Sequence, residues 1–111
     1  MGRPWIVDFE HWAQHDHDAM IAYLRDPASD VAGLTFAAEA TRGCTDHRVV
    51  DAVVDLIEHP SPVVRDGVLL GLQDTDNAAI RLAVAMMSMS DPSRGVRETA
   101  SDLVAEWTDD S

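Results

Sequence analysis

The sequence contains no lysine, a single cysteine and few aromatic residues. Its eight basic residues are all arginines, and 20 acidic residues outnumber them, so the formal net charge is −12. Direct binding to nucleic acid or to an anionic membrane needs a basic face, and this charge balance argues against both. A lysine-free, acidic composition is also typical of a GC-rich or salt-adapted genome, so the acidity has a compositional interpretation beside a functional one.

Long apolar runs are also missing. No segment approaches the ~18 residues of a transmembrane helix, and the start, MGRPWIVDFEHW, has acids and tryptophans where a signal peptide needs a basic head and an apolar body. Cys44 has no partner for an internal disulfide, which fits a reducing compartment. A chain of 111 residues is long enough for one domain only. These features predict a cytoplasmic protein with one domain.

Three prolines reveal an internal repeat. Pro27, Pro60 and Pro92 are 33 and 32 residues apart, a period typical of helical solenoids. In HPSPVVRD and DPSRGVRE, a valine stands four residues after the proline and is followed by arginine and an acid; DPASDVAG keeps the valine, Val31. Apolar residues before and after each proline recur at steps of three and four. Each unit is therefore predicted to be a helix, a proline turn and a second helix that its valine anchors in the core.

Turn residues predict where the helices begin. Asp26-Pro27 and Asp91-Pro92 each offer a carboxylate at the N-cap and a proline at the first helical position, and Ser61-Pro62 does the same in the middle unit. Asp46 and Asn77 are predicted to cap the helices that open the second and third units.

These motifs resemble the HEAT-like repeat proteins, in particular the short repeats of the PBS-lyase kind, whose second helix opens with Asp-x-x-x-x-Val-Arg. DPSRGVRETASDLV matches the pattern, HPSPVVRDGVLLGL has histidine at the first position, and DPASDVAGLTFAAEA lacks the arginine. The resemblance covers about residues 16–107. It implies an all-α, right-handed α-solenoid of about three helical hairpins, and a structural ladder between adjacent turns that involves Asp91, Arg65 and Arg97.

The repeat divides the chain into segments. The three hairpins are predicted at 16–42, 46–73 and 77–107, after an N-terminal capping segment at 1–15 and before a tail at 108–111. The capping segment is predicted to form a short amphipathic helix that covers the open end of the stack, with a partner-binding aromatic patch as the alternative. Its apolar residues follow helical spacing: Trp5, Ile6, Phe9, Trp12 and Ala13. Trp107 is expected to pack on the last hairpin.

Histidines near the N-terminus are the candidates for metal binding. His11 and His15 are four residues apart and share a face of a helix, a spacing that suits zinc, and Asp18 could add an oxygen ligand. No glutamate follows His11, so the helical metalloprotease motif is absent. The other interpretation is that these are solvated surface histidines, and no metal or cofactor is predicted.

Catalytic motifs are scarce. Deoxyhypusine hydroxylases, a HEAT-like class, hold iron with His-Glu pairs, whereas this chain has Glu58-His59 once, in reverse order. Cys44 follows Gly43 in a predicted loop, either as a reactive thiol or as a passive loop residue. A lyase-like or metal-binding HEAT protein stays an alternative that needs the histidines or Cys44, and the favoured prediction is a protein that is not an enzyme.

The predicted second helices would line the concave side of the stack, where solenoids usually bind. An apolar patch there runs into an acidic C-terminal end and could receive an apolar anchor and basic residues of a partner. The alternative places Phe36 and Leu69 in the core. The expected partner-binding residues are Phe36, Asp66, Leu69, Leu70, Gln73, Glu98, Asp102 and Glu106.

The sequence thus predicts a non-catalytic protein–protein interaction module for a basic protein partner, such as an immunity protein, an antitoxin or a regulator of a larger enzyme. An acidic nucleic-acid mimic that inhibits a DNA- or RNA-binding protein is the alternative. Direct nucleic-acid and membrane binding are not expected, and a homodimer through an exposed end of the stack is compatible with the pattern.

Overall fold

The computed structural model describes residues 8–109, and within that range all regular structure is helical. The seven α-helices are α1 (Phe9–His15), α2 (His17–Arg25), α3 (Val31–Ala40), α4 (His47–Asp55), α5 (Pro62–Leu72), α6 (Ala78–Ser90) and α7 (Arg94–Asp109). A 3₁₀ turn at Leu56–Glu58 follows α4. The prediction of an all-α chain is confirmed. None of these helices is long and apolar enough to cross a bilayer.

Side-chain caps fix the starts of α4 and α6. Asp46 accepts hydrogen bonds from the backbone N–H groups of Arg48 and Val49, and Asn77 accepts one from the N–H of Ile80. Both caps are confirmed sequence predictions. Each satisfies N–H groups that the first turn of a helix leaves without a partner.

The proline of the middle unit lies where it was predicted, but that of the last unit does not. Ser61 is the N-cap residue of α5 and Pro62 is its first residue. The prediction that Asp91-Pro92 starts α7 is wrong, because α7 begins at Arg94. The Asp91 carboxylate instead accepts a hydrogen bond from the Ser93 N–H at 2.9 Å. This short turn keeps the proline outside the helix.

The first unit is displaced in the same way. The prediction that Asp26-Pro27 starts α3 is wrong, because Asp26 accepts from the Ala28 N–H at 2.9 Å and Asp30 caps the helix through the Gly33 N–H at 2.8 Å. Pro27 therefore lies four residues before the first residue of α3 and is not part of the helix. As a consequence Val31, expected in the core, is 43% exposed.

The helices pack in two rows. In one row α3 lies against α5 and α5 lies against α7, and in the other α2 lies against α4. The last two helices, α6 and α7, pack on each other, while α1 packs on α2 and α3. The molecule measures 46 × 27 × 21 Å along its principal axes.

Glycines allow α3 and α5 to approach closely. A methyl group on Gly67 would lie 2.9 Å from the backbone oxygen of Thr35, and one on Gly71 would overlap the backbone oxygen of Ala38. These contacts are between backbones, which cannot move aside as a flexible side chain does. The α3–α5 contact therefore needs both positions to lack a side chain.

Buried apolar side chains form two clusters. The larger cluster is built from α1 to α5, and it includes Val64. The smaller cluster joins α5 to α6 and α7 and consists of Leu69, Val84, Met87, Val96, Ala100 and Leu103. The valines that follow Pro60 and Pro92 are thus core residues, as predicted, since Val64 and Val96 are almost fully buried.

A buried ion pair links α5 to the turn before α7. Arg65 donates through Nε and Nη2 to Asp91 at 2.9 and 3.0 Å, and the two side chains are 9% and 5% exposed. Its Nη1 also donates to the carbonyls of His59 and Pro60. Arg97 donates to the backbone carbonyl of Asp91 at 2.7 Å. The expected contact between adjacent turns is therefore observed for Arg65, whereas Arg97 bonds to the turn before its own helix.

Three exposed ion pairs join positions that are 30 or 32 residues apart. Pairs of this kind usually stabilise a protein by only about 0.2–1 kcal/mol, so their spacing is more informative than their energy. Two of them join α2 to α4, and the third joins the loops that follow α3 and α5. The three pairs are Arg25–Asp55, Arg48–Asp18 and Arg42–Asp74.

The C-terminal helix is longer than predicted. Thr108 and Asp109 belong to α7, so the predicted tail at 108–111 is wrong at these two positions, and residues 110–111 lie outside the described residues. Trp107 packs on the smaller cluster, as expected. Its Nε1 donates to the Gln73 carbonyl at 2.9 Å, and the Arg81 guanidinium lies 5.0 Å from the ring centroid.

Aromatic residues of α1 are used for packing. Phe9 and Trp12 are half-buried, and their ring centroids lie 5.0 and 5.9 Å from that of Tyr23 on α2. The predicted capping helix also included Trp5 and Ile6, which lie outside the described residues.

Candidate functional site

The outward face of α5 carries a row of apolar and polar side chains. Val63, Asp66, Leu70 and Gln73 follow one another at steps of three and four residues, so they share one face of the helix. Val63 is 54% exposed, and the other three are half-buried. Val63 was not predicted as a binding residue, although its spacing to Asp66 and Leu70 would have indicated it.

Exposed residues of α3 and α7 lie on either side of this row in the helix order. Phe36 on α3 is 61% exposed. On α7, Glu98, Asp102 and Glu106 are exposed and stand one helical turn apart. Seven of the eight residues predicted to bind a partner are thus at least partly accessible to solvent. They are these four together with Asp66, Leu70 and Gln73.

Leu69 is the exception. It is fully buried in the smaller cluster, so its prediction as a partner-binding residue is wrong. The reason is that α7 packs on the side of α5 that carries Leu69, where Val96 and Leu103 cover it. Phe36, the other residue for which a core position was considered, is exposed.

Two of the acids Glu98, Asp102 and Glu106 have a positive charge nearby. Glu98 accepts from Nε of Arg94 at 3.0 Å, and both side chains are exposed. The pKa of Arg42 is raised above its ordinary value, mainly by the hydrogen bond with Asp74. Burial acts in the opposite direction, and the charges of Asp74 and Glu106 add to the increase. Glu106 is thus close enough to Arg42 for the two charges to interact. Asp102 makes no ion pair among residues 8–109.

A groove of about 400 Å³ runs between the beginnings of α5 and α7. Among the residues that line this groove, Asp66 is the one with a charged side chain. The side chain makes no ion pair, and Oδ1 is hidden from solvent without a hydrogen-bond donor in the described part of the chain. The rest of the lining is apolar or carries hydroxyl groups: Pro62, Val63, Ser93, Gly95, Val96 and Thr99.

A second groove, of about 430 Å³, lies between the loop after α3 and the loop after α5. Cys44 lines it, and its Sγ donates to the Ala13 carbonyl at 3.3 Å. The thiol therefore ties the loop to α1, which supports the interpretation of a passive cysteine over that of a reactive one.

The histidines of α1 lie side by side on the surface. The ring centroids of His11 and His15 are 5.0 Å apart, and both residues are exposed. Asp18, considered as an oxygen ligand, instead pairs with Arg48 at 3.1 Å. From residue 8 to residue 109, no three His, Cys, Asp or Glu side chains are grouped so that they could hold a metal ion.

The outward face of α6 is apolar. Leu82, Met86 and Met89 are 63%, 56% and 77% exposed, whereas Met87 is buried. Ile80, Val84 and Met87 have the same four-then-three spacing, so the pattern alone does not show which face is inside.

The chain was also compared with known proteins. No family model matches it, and neither the curated proteins nor the solved structures contain a match.

Proposed function

We propose that the chain is a right-handed α-solenoid of three HEAT-like helix pairs, α2–α3, α4–α5 and α6–α7, with α1 at one end. The side-by-side order of the second helices, α3, α5 and α7, supports this arrangement. So do several polar contacts between successive pairs that join residues 30 to 34 positions apart, including that of Trp107 with Gln73. Such regular separations are expected when each repeat contacts its neighbour.

The function that fits best is non-catalytic binding of a basic protein partner. The binding site would be the α3–α5–α7 surface, which we define as Phe36, Val63, Asp66, Leu70, Gln73, Glu98, Asp102 and Glu106. One observation carries the proposal: exposed apolar side chains, Phe36 and Val63, share these helices with Asp66 and Asp102, acids that make no ion pair within residues 8–109. The net charge of −12 makes a basic partner the complementary one.

The two kinds of side chain would contribute differently. Covering Phe36 or Val63 removes apolar surface from water, which is worth about 1.5–3 kcal/mol for a fully buried side chain. The acids act over longer distances and are screened by salt. We therefore expect the apolar residues to set the lifetime of the complex and the acids to set mainly the rate at which it forms.

An acidic binding module of this kind suits an immunity protein or antitoxin that neutralises a basic toxin, or a regulator of a larger enzyme. The carboxylates of Glu98, Asp102 and Glu106 favour a second candidate. They form a row with one residue per helical turn, as a nucleic-acid mimic needs to occupy the cleft of a DNA- or RNA-binding protein.

A pull-down from the native host's lysate, at low and at moderate salt, tests the proposal. We expect the wild-type chain to capture a basic protein and the double variant Phe36→Asp/Asp102→Arg to lose it. Both positions are exposed, so the variant should fold. Competition by added DNA, together with a steep loss in salt, would identify the partner as the target of a mimic.

A matched control separates the surface from general charge effects. Leu82→Asp/Glu10→Arg makes the same kinds of change at exposed positions of α6 and α1, with the same change in net charge. It should retain the partner. Equal loss in both double variants, or no specific partner at either salt concentration, would contradict the proposed surface.

A further inference from the structure

Asp66 stands out among the acids of the chain. Of the other carboxylates near it, Asp91 is paired with Arg65 and Asp102 is exposed. Asp66 is half-buried, makes no ion pair, and has an oxygen hidden from solvent that receives no hydrogen bond within residues 8–109. Because Oδ1 is hidden from solvent, the Asp66 oxygen that a ligand in the groove can reach is Oδ2.

Two groups of the groove, Thr99 and Asp66, can accept hydrogen bonds from a ligand. The Thr99 hydroxyl already donates its proton to the Gly95 carbonyl at 3.1 Å, so its oxygen is left as an acceptor. The Asp66 carboxylate, when ionised, is an acceptor only. Both therefore suit a ligand that donates, and the carboxylate favours one that is positively charged.

The α5 wall of the groove also offers apolar surface for an aliphatic chain. Val63 is 54% exposed and Pro62 is also exposed, and both line the groove. Lysine and arginine carry a methylene stem that packs on apolar surface while the charged end reaches a polar group. The groove thus combines the two surfaces that such a side chain needs.

We propose that the groove between α5 and α7 receives a lysine or arginine side chain of the partner, with its charged end on Asp66 and its stem on Val63. This proposal rests on the function proposed above and identifies a specific anchor for it. Asp102, three residues beyond Thr99 on α7, adds a second negative charge toward which the partner can be drawn.

The helix termini oppose this occupant, but less strongly. The N-termini of α5 and α7 lie at the groove, and each carries about half a positive charge. That partial charge is spread over several N–H groups, and its effect falls off within the first turn. Asp66 carries a full charge in the wall of the groove itself, so the local field favours a cation.

Titration of the ¹⁵N-labelled chain with blocked tripeptides tests the proposal. Acetyl-Gly-Arg-Gly-amide and acetyl-Gly-Lys-Gly-amide should cause saturable amide shifts at Val63, Asp66, Gly95 and Thr99. The neutral acetyl-Gly-norleucine-Gly-amide should not. The two cationic peptides also show which head group the groove prefers.

Variants separate the groove from general attraction to an acidic protein. Asp66→Asn should weaken the binding of the arginine peptide by about tenfold or more, because a charge-assisted hydrogen bond is lost. Asp102→Asn removes the same charge outside the groove and should weaken it less than about threefold. Thr99→Val, which removes one acceptor, should cause an intermediate loss and provides a second test should Asp66→Asn fail to fold.

Equal effects of the two aspartate variants, or shifts spread over all the acids, would overturn the proposal. The test is independent of the pull-down. Retention of a captured partner by Asp66→Asn, with loss by Phe36→Asp/Asp102→Arg, would reject the groove but keep the binding surface. Saturable shifts in the groove without any captured partner would keep the cation site and reject the proposed function.

Discussion

Asp91→Ala is expected to lower the free energy of unfolding by about 3–5 kcal/mol, because it leaves the buried Arg65 guanidinium without its charge partner. Arg65 would keep only the carbonyls of His59 and Pro60. Such a loss is a large part of the 5–15 kcal/mol that typically holds a domain together. Chemical denaturation at pH 7, monitored by circular dichroism, measures it.

Asp55→Ala is the matched control. Asp55 also pairs with one arginine of another helix, Arg25, but the two side chains are 64% and 48% exposed. We expect a loss of about 0.2–1 kcal/mol. A loss at position 91 no larger than that at position 55 would show that the buried pair does not hold the last helix pair in place.

The stabilising effect of Asp91 should depend on pH. Burial raises its pKa, but hydrogen bonds from Arg65 and the Ser93 N–H, with the charges of Arg65 and Arg97, outweigh burial and hold the pKa below its ordinary value. A carboxylate with a depressed pKa stabilises the fold fully above its unfolded-state pKa of about 3.9 and loses that effect as pH falls toward the folded-state value. The stability difference between wild type and Asp91→Asn should therefore shrink below about pH 4. A difference that stays constant down to pH 3 would contradict the pairing.

Gly71→Ala is expected to destabilise the protein by about 2–3 kcal/mol, because the added methyl group would overlap the Ala38 carbonyl oxygen and force α3 away from α5. Helix propensity alone would favour alanine by about 1 kcal/mol. The sign of the change therefore tells whether the close α3–α5 contact exists. Thermal and urea unfolding measure it.

Gly95→Ala is the matched control, and we expect it to change the stability in the opposite direction. Gly95 lies in the first turn of α7, and an added methyl group would meet only the Ser93 hydroxyl, at 3.9 Å. We expect a gain of about 0.5 kcal/mol from helix propensity. Two alanine substitutions that change stability in the same direction would contradict the packing of α3 against α5.

Local signals in the sequence predicted several helix starts correctly. Asp46 and Asn77 cap helices where they were expected to, and Pro62 opens α5, because capping depends on residues that are close along the chain. Where two residues could cap the same helix, the sequence did not show which of them does so. Asp26 and Asp30 are both able to cap a helix, and the choice of Asp30 moved the start of α3 by four residues from the predicted position.

Positions that depend on neighbouring helices were harder to predict. The spacing of Leu69 on α5 is compatible with a surface position, but the packing of α7 buries it. The spacing of Met86 is compatible with a core position, but Met86 is 56% exposed. Which face of a helix is inside is a property of the packing, not of the periodicity. For the same reason the unpaired state of Asp66 became visible only once the groove between α5 and α7 was known.

Hydrogen–deuterium exchange of the chain, alone and with the captured partner, is the most direct test of binding at the α3–α5–α7 surface. We predict slower exchange in the segments 31–40, 62–72 and 94–109, and no change in α6, whose apolar outward face is the main competing surface. Protection confined to α6 or to α1 would contradict the proposed surface.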